Sequence, residues 1–228
     1  MIKNIFLDAG GVILNETNFE NNMANIISEI IQKYNHGYSP DNYWKDAEEA
    51  VYRFVPKVYD YILYKNIKDI DEFKKAKFQK SNEEKRNLNN DFELMDGIKD
   101  FLISFSKCYS IGILGQYGKD FKNFLNKNNL LPYFAYSEIQ DDYAVTKPDP
   151  RYFEEILGKC GCDPTESVMI GDRIDKDIIP AKAVGMKTIR LRVGLHKNQE
   201  PRTPEEIPDF TVERLDEIKM EMIGAIKG

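Results

Sequence analysis

The chain has 228 residues, enough for one well-buried core or for a core that carries a smaller inserted domain. Its 32 Lys and Arg against 38 Asp and Glu give a formal charge of -6, spread without a basic stripe, which argues against nucleic acid as a main partner. Apolar segments are short and broken by charges, and a strand-like run begins almost at the N-terminus, so neither a membrane span nor a signal peptide is expected and the protein is read as soluble and cytoplasmic.

Residues Ile2 to Leu7 form an apolar run closed by Asp8-Ala9-Gly10-Gly11, a buried strand ending in a tight loop. From about Asn18 to Asn90 apolar residues recur at three- and four-residue spacing, as in Ile26, Ile27, Ile30, Ile31 and Tyr34. This predicts about four helices, broken near His36 to Pro40 and again near Asn66. Lys80 to Asp91, rich in Lys, Asn and Glu, reads as the linker leading back. After Asp96-Gly97, strands are expected at Tyr109 to Leu114, Phe134 to Glu138, Ser167 to Ile170, Lys187 to Leu191 and Asp209 to Val212. Helices are expected between them at Ile98 to Ser106, Lys119 to Asn128, Arg151 to Lys159 and Ile178 to Val184. The alternation predicts an α/β fold: a doubly wound, Rossmann-like parallel sheet covered on both faces. Its core domain would comprise residues 1–16 and 92–228, with an all-helical domain inserted at 17–91.

Cys108, Cys160 and Cys162 are an odd set with no further Cys or His nearby to complete a zinc site, and the Cys160-Gly161-Cys162 pair reads as small buried or half-buried thiols. His36 and His196 lie in polar, turn-like surroundings and read as surface residues, which leaves histidine-based nucleophilic schemes little material. In doubly wound sheets ligands bind outside the carboxyl ends of the strands, so chemistry is sought there. Asp8 stands at the first such end as a nucleophile, a metal ligand or a mere turn cap, with glycines that let backbone N–H groups approach an anion. Gly171-Asp172-Arg173-Ile174-Asp175-Lys176-Asp177 brings three carboxylates within six positions. Such a group repels itself unless a hard divalent cation such as Mg²⁺ sits among it. One acid is expected to cap the next helix, and Asp177 is well placed for that. Lys147, before Pro148-Asp149-Pro150, is either a solvated surface lysine or a fixed cation that moderates the acids and meets a phosphoryl oxygen.

Asp8 after a strand, Lys147-Pro148-Asp149-Pro150, and Gly171-Asp172 followed by Asp177 and Ala183-Val184-Gly185-Met186 together resemble the haloacid dehalogenase superfamily. The helical insert lies where many members carry a cap domain. The resemblance implies a hydrolase of the phosphatase-like branch, acting on a small phosphorylated metabolite. Asp8 would attack phosphorus to give an aspartyl-phosphate, and Mg²⁺ would be held by Asp8, the Gly10 carbonyl and Asp172, with Asp177 in support. The phosphoryl group would be bound by Gly10, Gly11, Gly115, Gln116 and Lys147.

Two positions depart from the family pattern. The aspartate usually found two residues after the nucleophile, which protonates the leaving group, is Gly10 here, and such a group contributes ~100- to 10,000-fold in rate. The Ser or Thr that usually ends the second core strand is Gly115, followed by Gln116. These departures leave two rivals: an impaired binding protein for Mg²⁺ and a phosphorylated ligand, and a dehalogenase. A phosphonate hydrolase would need a Schiff-base lysine from the insert, where Lys33, Lys45, Lys57 and Lys65 are available. Arg53, between Tyr52 and Phe54, is the residue chosen to face the substrate.

Overall fold

The computed structural model describes residues 1–87, 93–115, 119–137 and 145–225. The chain divides into two compact units, one formed by Met1–Asn15 with Glu93–Gly228 and the other by Glu16–Phe92. In chain order the elements begin with β1 (Asn4–Leu7) and β2 (Leu14–Asn15), followed by α1 (Thr17–Gln32), α2 (Pro40–Tyr52), α3 (Val58–Asn66) and α4 (Ile70–Asn87).

These four helices are the helical unit. Met23, Ala24, Ile27, Ile30 and Ile31 lie on one stripe of α1 and are buried, as their three- and four-residue spacing requires. Helix α2 starts where Ser39 precedes Pro40, and the Ser39 N–H donates to Asn42 Oδ1 at 2.9 Å. Asp46, buried on α2, accepts bonds from Tyr38 Oη (2.9 Å), Asn66 Nδ2 (2.7 Å) and Lys65 Nζ (2.7 Å). Lys80 to Asn87, expected as linker, continue α4; the rest of that stretch, through Asp91, lies outside the described residues. Helix propensity explains the difference, because Lys, Glu, Gln and Arg are good helix formers and Lys80 pairs with Glu84 one turn on at 3.0 Å.

The second unit adds β3 (Glu93–Leu94), α5 (Ile98–Phe105), β4 (Ser110–Ile113), α6 (Lys119–Lys127), α7 (Pro150–Cys160), β5 (Ser167–Gly171), α8 (Ile179–Ala183), β6 (Lys187–Leu191), β7 (Phe210–Val212) and α9 (Met220–Ala225). Five strands form a wholly parallel sheet in the order β4-β1-β5-β6-β7, while β2 and β3 make a short antiparallel ribbon that the sequence pattern missed. Every residue of β1 and β5 is buried, as expected for central strands covered on both faces. Phe6 and Met169 share one face of the sheet and pack with Tyr152, Phe153, Ile156 and Leu157 of α7 and Ala181 of α8. Each such side chain contributes about 1.5–3 kcal/mol through burial.

Phe134 to Glu138 do not form the expected strand. Tyr136 makes a single bridge to Gly112 at the edge of β4, and Glu138 lies outside the described residues. The aromatic residues that suggested a strand are instead packing groups: the Tyr136 ring stacks on Phe6 with centroids 6.1 Å apart, across the space left by Gly112. Among the described residues no helix is long and apolar enough to cross a membrane.

Candidate active site

Strand register assembles the site. Leu7 stands opposite Ile113 on one side and Ile170 on the other, so the residues just past β1, β4 and β5 emerge side by side. The Asp8 N–H donates to the Ile170 carbonyl at 2.9 Å and the Leu114 N–H to the Leu7 carbonyl at 2.8 Å, which fixes the backbone under Asp8. Asp8, Asp172 and Asp177 each present a carboxylate oxygen within 4.8 Å of the others. Ligands of an octahedral Mg²⁺ lie about 3 Å apart when adjacent and about 4 Å when opposite, so these hard oxygen donors suit that ion once they draw closer together.

Lys147 is buried, with 5% of its side chain exposed, and not a solvated surface residue. Its Nζ donates to Asp8 Oδ1 at 2.8 Å and to Asp177 Oδ1 at 2.6 Å. The lysine comes from the turn before α7, whose first residue is Pro150 and whose N–H of Arg151 is capped by Asp149 at 3.0 Å; the Lys147-Pro148 peptide is cis. Burial alone would lower the Lys147 pKa, but the charges of Asp177 and Asp8 outweigh it and hold the ammonium above the usual lysine range. Burial pushes Asp177 up to about 6, with Lys147 opposing and Asp8 adding to the rise. Three carboxylates facing one ammonium leave the cluster formally negative, and a divalent cation would balance it.

Glycines make room for the acids. A Cβ on Gly171 would lie 2.3 Å from Asp177 Cβ, and one on Gly11 would lie 2.8 Å from Asp172 Cγ. Gly11 also has φ +68°, a left-handed conformation that glycine adopts without strain. Gly115 packs against Asp8: a Cβ there would meet Ala9 at 3.0 Å and Asp8 Oδ1 at 3.1 Å. The position without a hydroxyl is therefore one where the two loops approach closely. Gly10, two residues past Asp8, is buried in the loop that returns to Leu14.

Some expectations are corrected. Asp177 does not cap α8; it lies within the π-helical turn Ile174–Ile178, and its Oδ2 accepts the Arg173 N–H at 3.0 Å. The third acid of that run, Asp175, is taken by Arg173 (3.1 and 2.6 Å) and by Gln199 Nε2 (2.8 Å). His196 is buried rather than exposed, and burial together with Arg173 pushes its imidazole down to about 3. Gln116 lies outside the described residues. Arg53 belongs to the helical unit, where it pairs with Glu49 at 3.0 Å. Lys65 is no Schiff-base candidate, because hydrogen bonds to Asp46 and Glu49 hold its ammonium above the usual lysine range. Sequence reading missed buried Arg190 and buried Gln199; a charged residue inside the apolar Lys187–Leu191 run was the available signal for Arg190.

Comparison with known proteins agrees with this architecture. The family model of haloacid dehalogenase-like hydrolases matches residues 11–191, a span that includes Lys147, Asp172 and Asp177 and begins just after Asp8. A glyceraldehyde 3-phosphate phosphatase of Methanopyrus kandleri is 41% identical over 80 residues, 35% of this chain and 34% of that protein. A phosphoserine phosphatase of Thermus thermophilus is 34% identical over 89 residues, 39% of this chain and 34% of that protein. The chain thus spans about a third of the length of these curated relatives. The crystal structure of the HAD-hydrolase YfnB from Bacillus subtilis, bound to magnesium, superposes with a TM-score of 0.68 at 18% identity, covering 95% of this chain and 96% of that one, which is a likeness of fold. With four-fifths of its length matched by the family model and its sheet shared with a solved member, the chain belongs to the haloacid dehalogenase-like hydrolases.

Proposed function

We propose that this chain is a Mg²⁺-dependent phosphomonoesterase that uses Asp8 as nucleophile on a small phosphorylated metabolite. The observation that carries the reading is the bridge from buried Lys147 to both Asp8 and Asp177, beside which Asp172 completes a cluster of three acids. The names of the relatives, which are phosphatases of small phosphate esters, support the substrate class.

Asp8, the Gly10 carbonyl, Asp172 and Asp177 would hold Mg²⁺, which when bound neutralises phosphoryl charge and orients the ester. Lys147 holds Asp8 in place through its hydrogen bond and donates to a phosphoryl oxygen. An Asp8 carboxylate oxygen attacks phosphorus; the bond from phosphorus to the ester oxygen breaks, and the departing oxygen takes a proton from water. Water then attacks the phosphorus of the aspartyl-phosphate, the bond to the Asp8 oxygen breaks, and inorganic phosphate leaves with Asp8 restored. Gly11 and Gly115 bring backbone N–H groups to the phosphoryl oxygens, joined by Gln116, and Arg53 contributes to substrate preference. With no acid at Gly10, turnover is slow or confined to esters with good leaving groups.

The absent side chain at position 10 favours one second reading, a protein that binds Mg²⁺ and a phosphorylated ligand with little turnover. A panel of phosphomonoesters assayed with and without Mg²⁺ decides between them. Mg²⁺-dependent phosphate release that vanishes in Asp8→Asn supports the enzyme, and no release from any ester supports the binding protein.

A further inference from the structure

Gln199 is fully buried in the loop after β6, beyond the stretch matched by the family model. Both ends of its side chain are committed to the acidic loop: Oε1 accepts the Ile174 N–H at 2.8 Å, and Nε2 donates to Asp175 Oδ1 at 2.8 Å. Its own carbonyl accepts from Arg190 Nη1 at 2.7 Å, and the same guanidinium reaches the carbonyls of His196 (3.0 Å), Lys197 (3.3 Å) and Asp172 (3.3 Å). One buried arginine therefore ties the 196–199 loop to the backbone of Asp172, and Gln199 ties it again two and three residues further on.

The segment so held is unusual. Ile174–Ile178 is a π-helical turn, and the N–H of its first residue has no carbonyl partner within the turn. Gln199 supplies that acceptor. A buried N–H left without it would shift toward another acceptor and move the start of the turn, which lies between Asp172, two residues before it, and Asp177, within it.

We propose that Gln199 is a positioning residue that fixes the spacing of Asp172 and Asp177 and so sets the affinity for Mg²⁺ without contacting a ligand. The inference rests on the reading that these acids hold Mg²⁺. Outer partners of metal ligands typically govern affinity by ~10- to 100-fold.

Calorimetric titration of Mg²⁺ into the full chain tests it, with Asp172→Asn as the reference for a lost ligand. Gln199→Met, which keeps the shape and removes both bonds, should weaken Mg²⁺ at least ~10-fold. Gln199→Glu keeps the acceptor for Ile174 but sets a carboxylate against Asp175, and should also weaken binding. A residue that merely anchors its loop would lower thermal stability and leave Mg²⁺ affinity unchanged, and unchanged affinity in folded Gln199→Met overturns the proposal. If Gln199→Met does not fold, unchanged Mg²⁺ affinity in folded Gln199→Glu overturns it instead. Absence of Mg²⁺ binding by the unaltered chain is a different result, which removes the metal site itself and the inference with it.

Discussion

Replacing Gly11 by alanine separates two effects that meet at one position. Alanine at φ +68° costs about 1–2 kcal/mol of backbone strain. Its Cβ would also sit 2.8 Å from Asp172 Cγ and 3.0 Å from Asp172 Oδ2, and crowding of a packed interior costs about 1–3 kcal/mol more. Asp172 has little freedom to retreat, because it is buried and its carbonyl is tied to Arg190. A central value of about 3 kcal/mol corresponds to a fall in Tm of roughly 6–12 °C for a chain of this size. Gly161→Ala is the control: Gly161 also has positive φ, +63°, but no atom lies within 4 Å of its Cβ position. Thermal melts in EDTA should therefore show the larger loss for Gly11→Ala. Melts in Mg²⁺ at ~100 times Kd should raise the unaltered chain and Gly161→Ala by the equivalent of about 2.7 kcal/mol. Gly11→Ala should lose most of that increment because Asp172 is displaced. Equal destabilisation of the two variants, with the Mg²⁺ increment intact in both, would refute the packing argument.

Other expectations follow from the same geometry. Asp8→Asn should keep the fold and reduce Mg²⁺-dependent phosphate release to background, and residual turnover near that of the unaltered chain would remove Asp8 as nucleophile. Lys147→Met leaves Asp8 and Asp177 facing each other without a buried counter-charge, a loss of about 3–5 kcal/mol that thermal melting in EDTA will detect; a Tm within ~2 °C of the unaltered chain contradicts it. Gly10→Asp should raise kcat by ~100-fold or more by supplying the missing acid, and a folded variant without a gain would show that the leaving group needs no such proton. Because the His196 pKa is depressed to about 3 in the folded chain, the unfolded chain binds the extra proton as pH falls below 6.5. Stability should then decline toward pH 3 at up to ~1.4 kcal/mol per pH unit. Urea melts from pH 7 to 4.5 should show this slope flattened in His196→Gln, and equal slopes in the two proteins would discard it.

The elements that sequence reading identified well are those written in local pattern. Apolar runs set β1, β5 and β6, turn chemistry set the start of α7, and the family resemblance singled out Asp8, Lys147, Asp172 and Asp177, which the fold brings together. What it missed depends on contacts distant in sequence. His196 has polar neighbours along the chain, yet Arg190, from β6, takes its carbonyl and draws the loop inward. Asp175 and Asp177 look alike at two-residue spacing; the π-helical turn and the partners Arg173, Gln199 and Lys147 decide which joins the cluster. Tyr136 looked like a strand residue because bulky rings favour strands, whereas its environment is the gap above Gly112.

The seats beneath Asp172 and Asp177 impose an order on how this site can change. Any side chain at Gly11 or Gly171 collides with an acid already in place; loss of the Asp172 carboxylate opens the space at Gly11, whereas the space at Gly171 opens only when Asp177 loses its Cβ as well. In a library of random variants, substitutions at position 11 should be recovered mainly in backgrounds that have already lost Asp172, and those at position 171 only where glycine has replaced Asp177. The site can be dismantled acid first, but it can be built only on glycines that are already there.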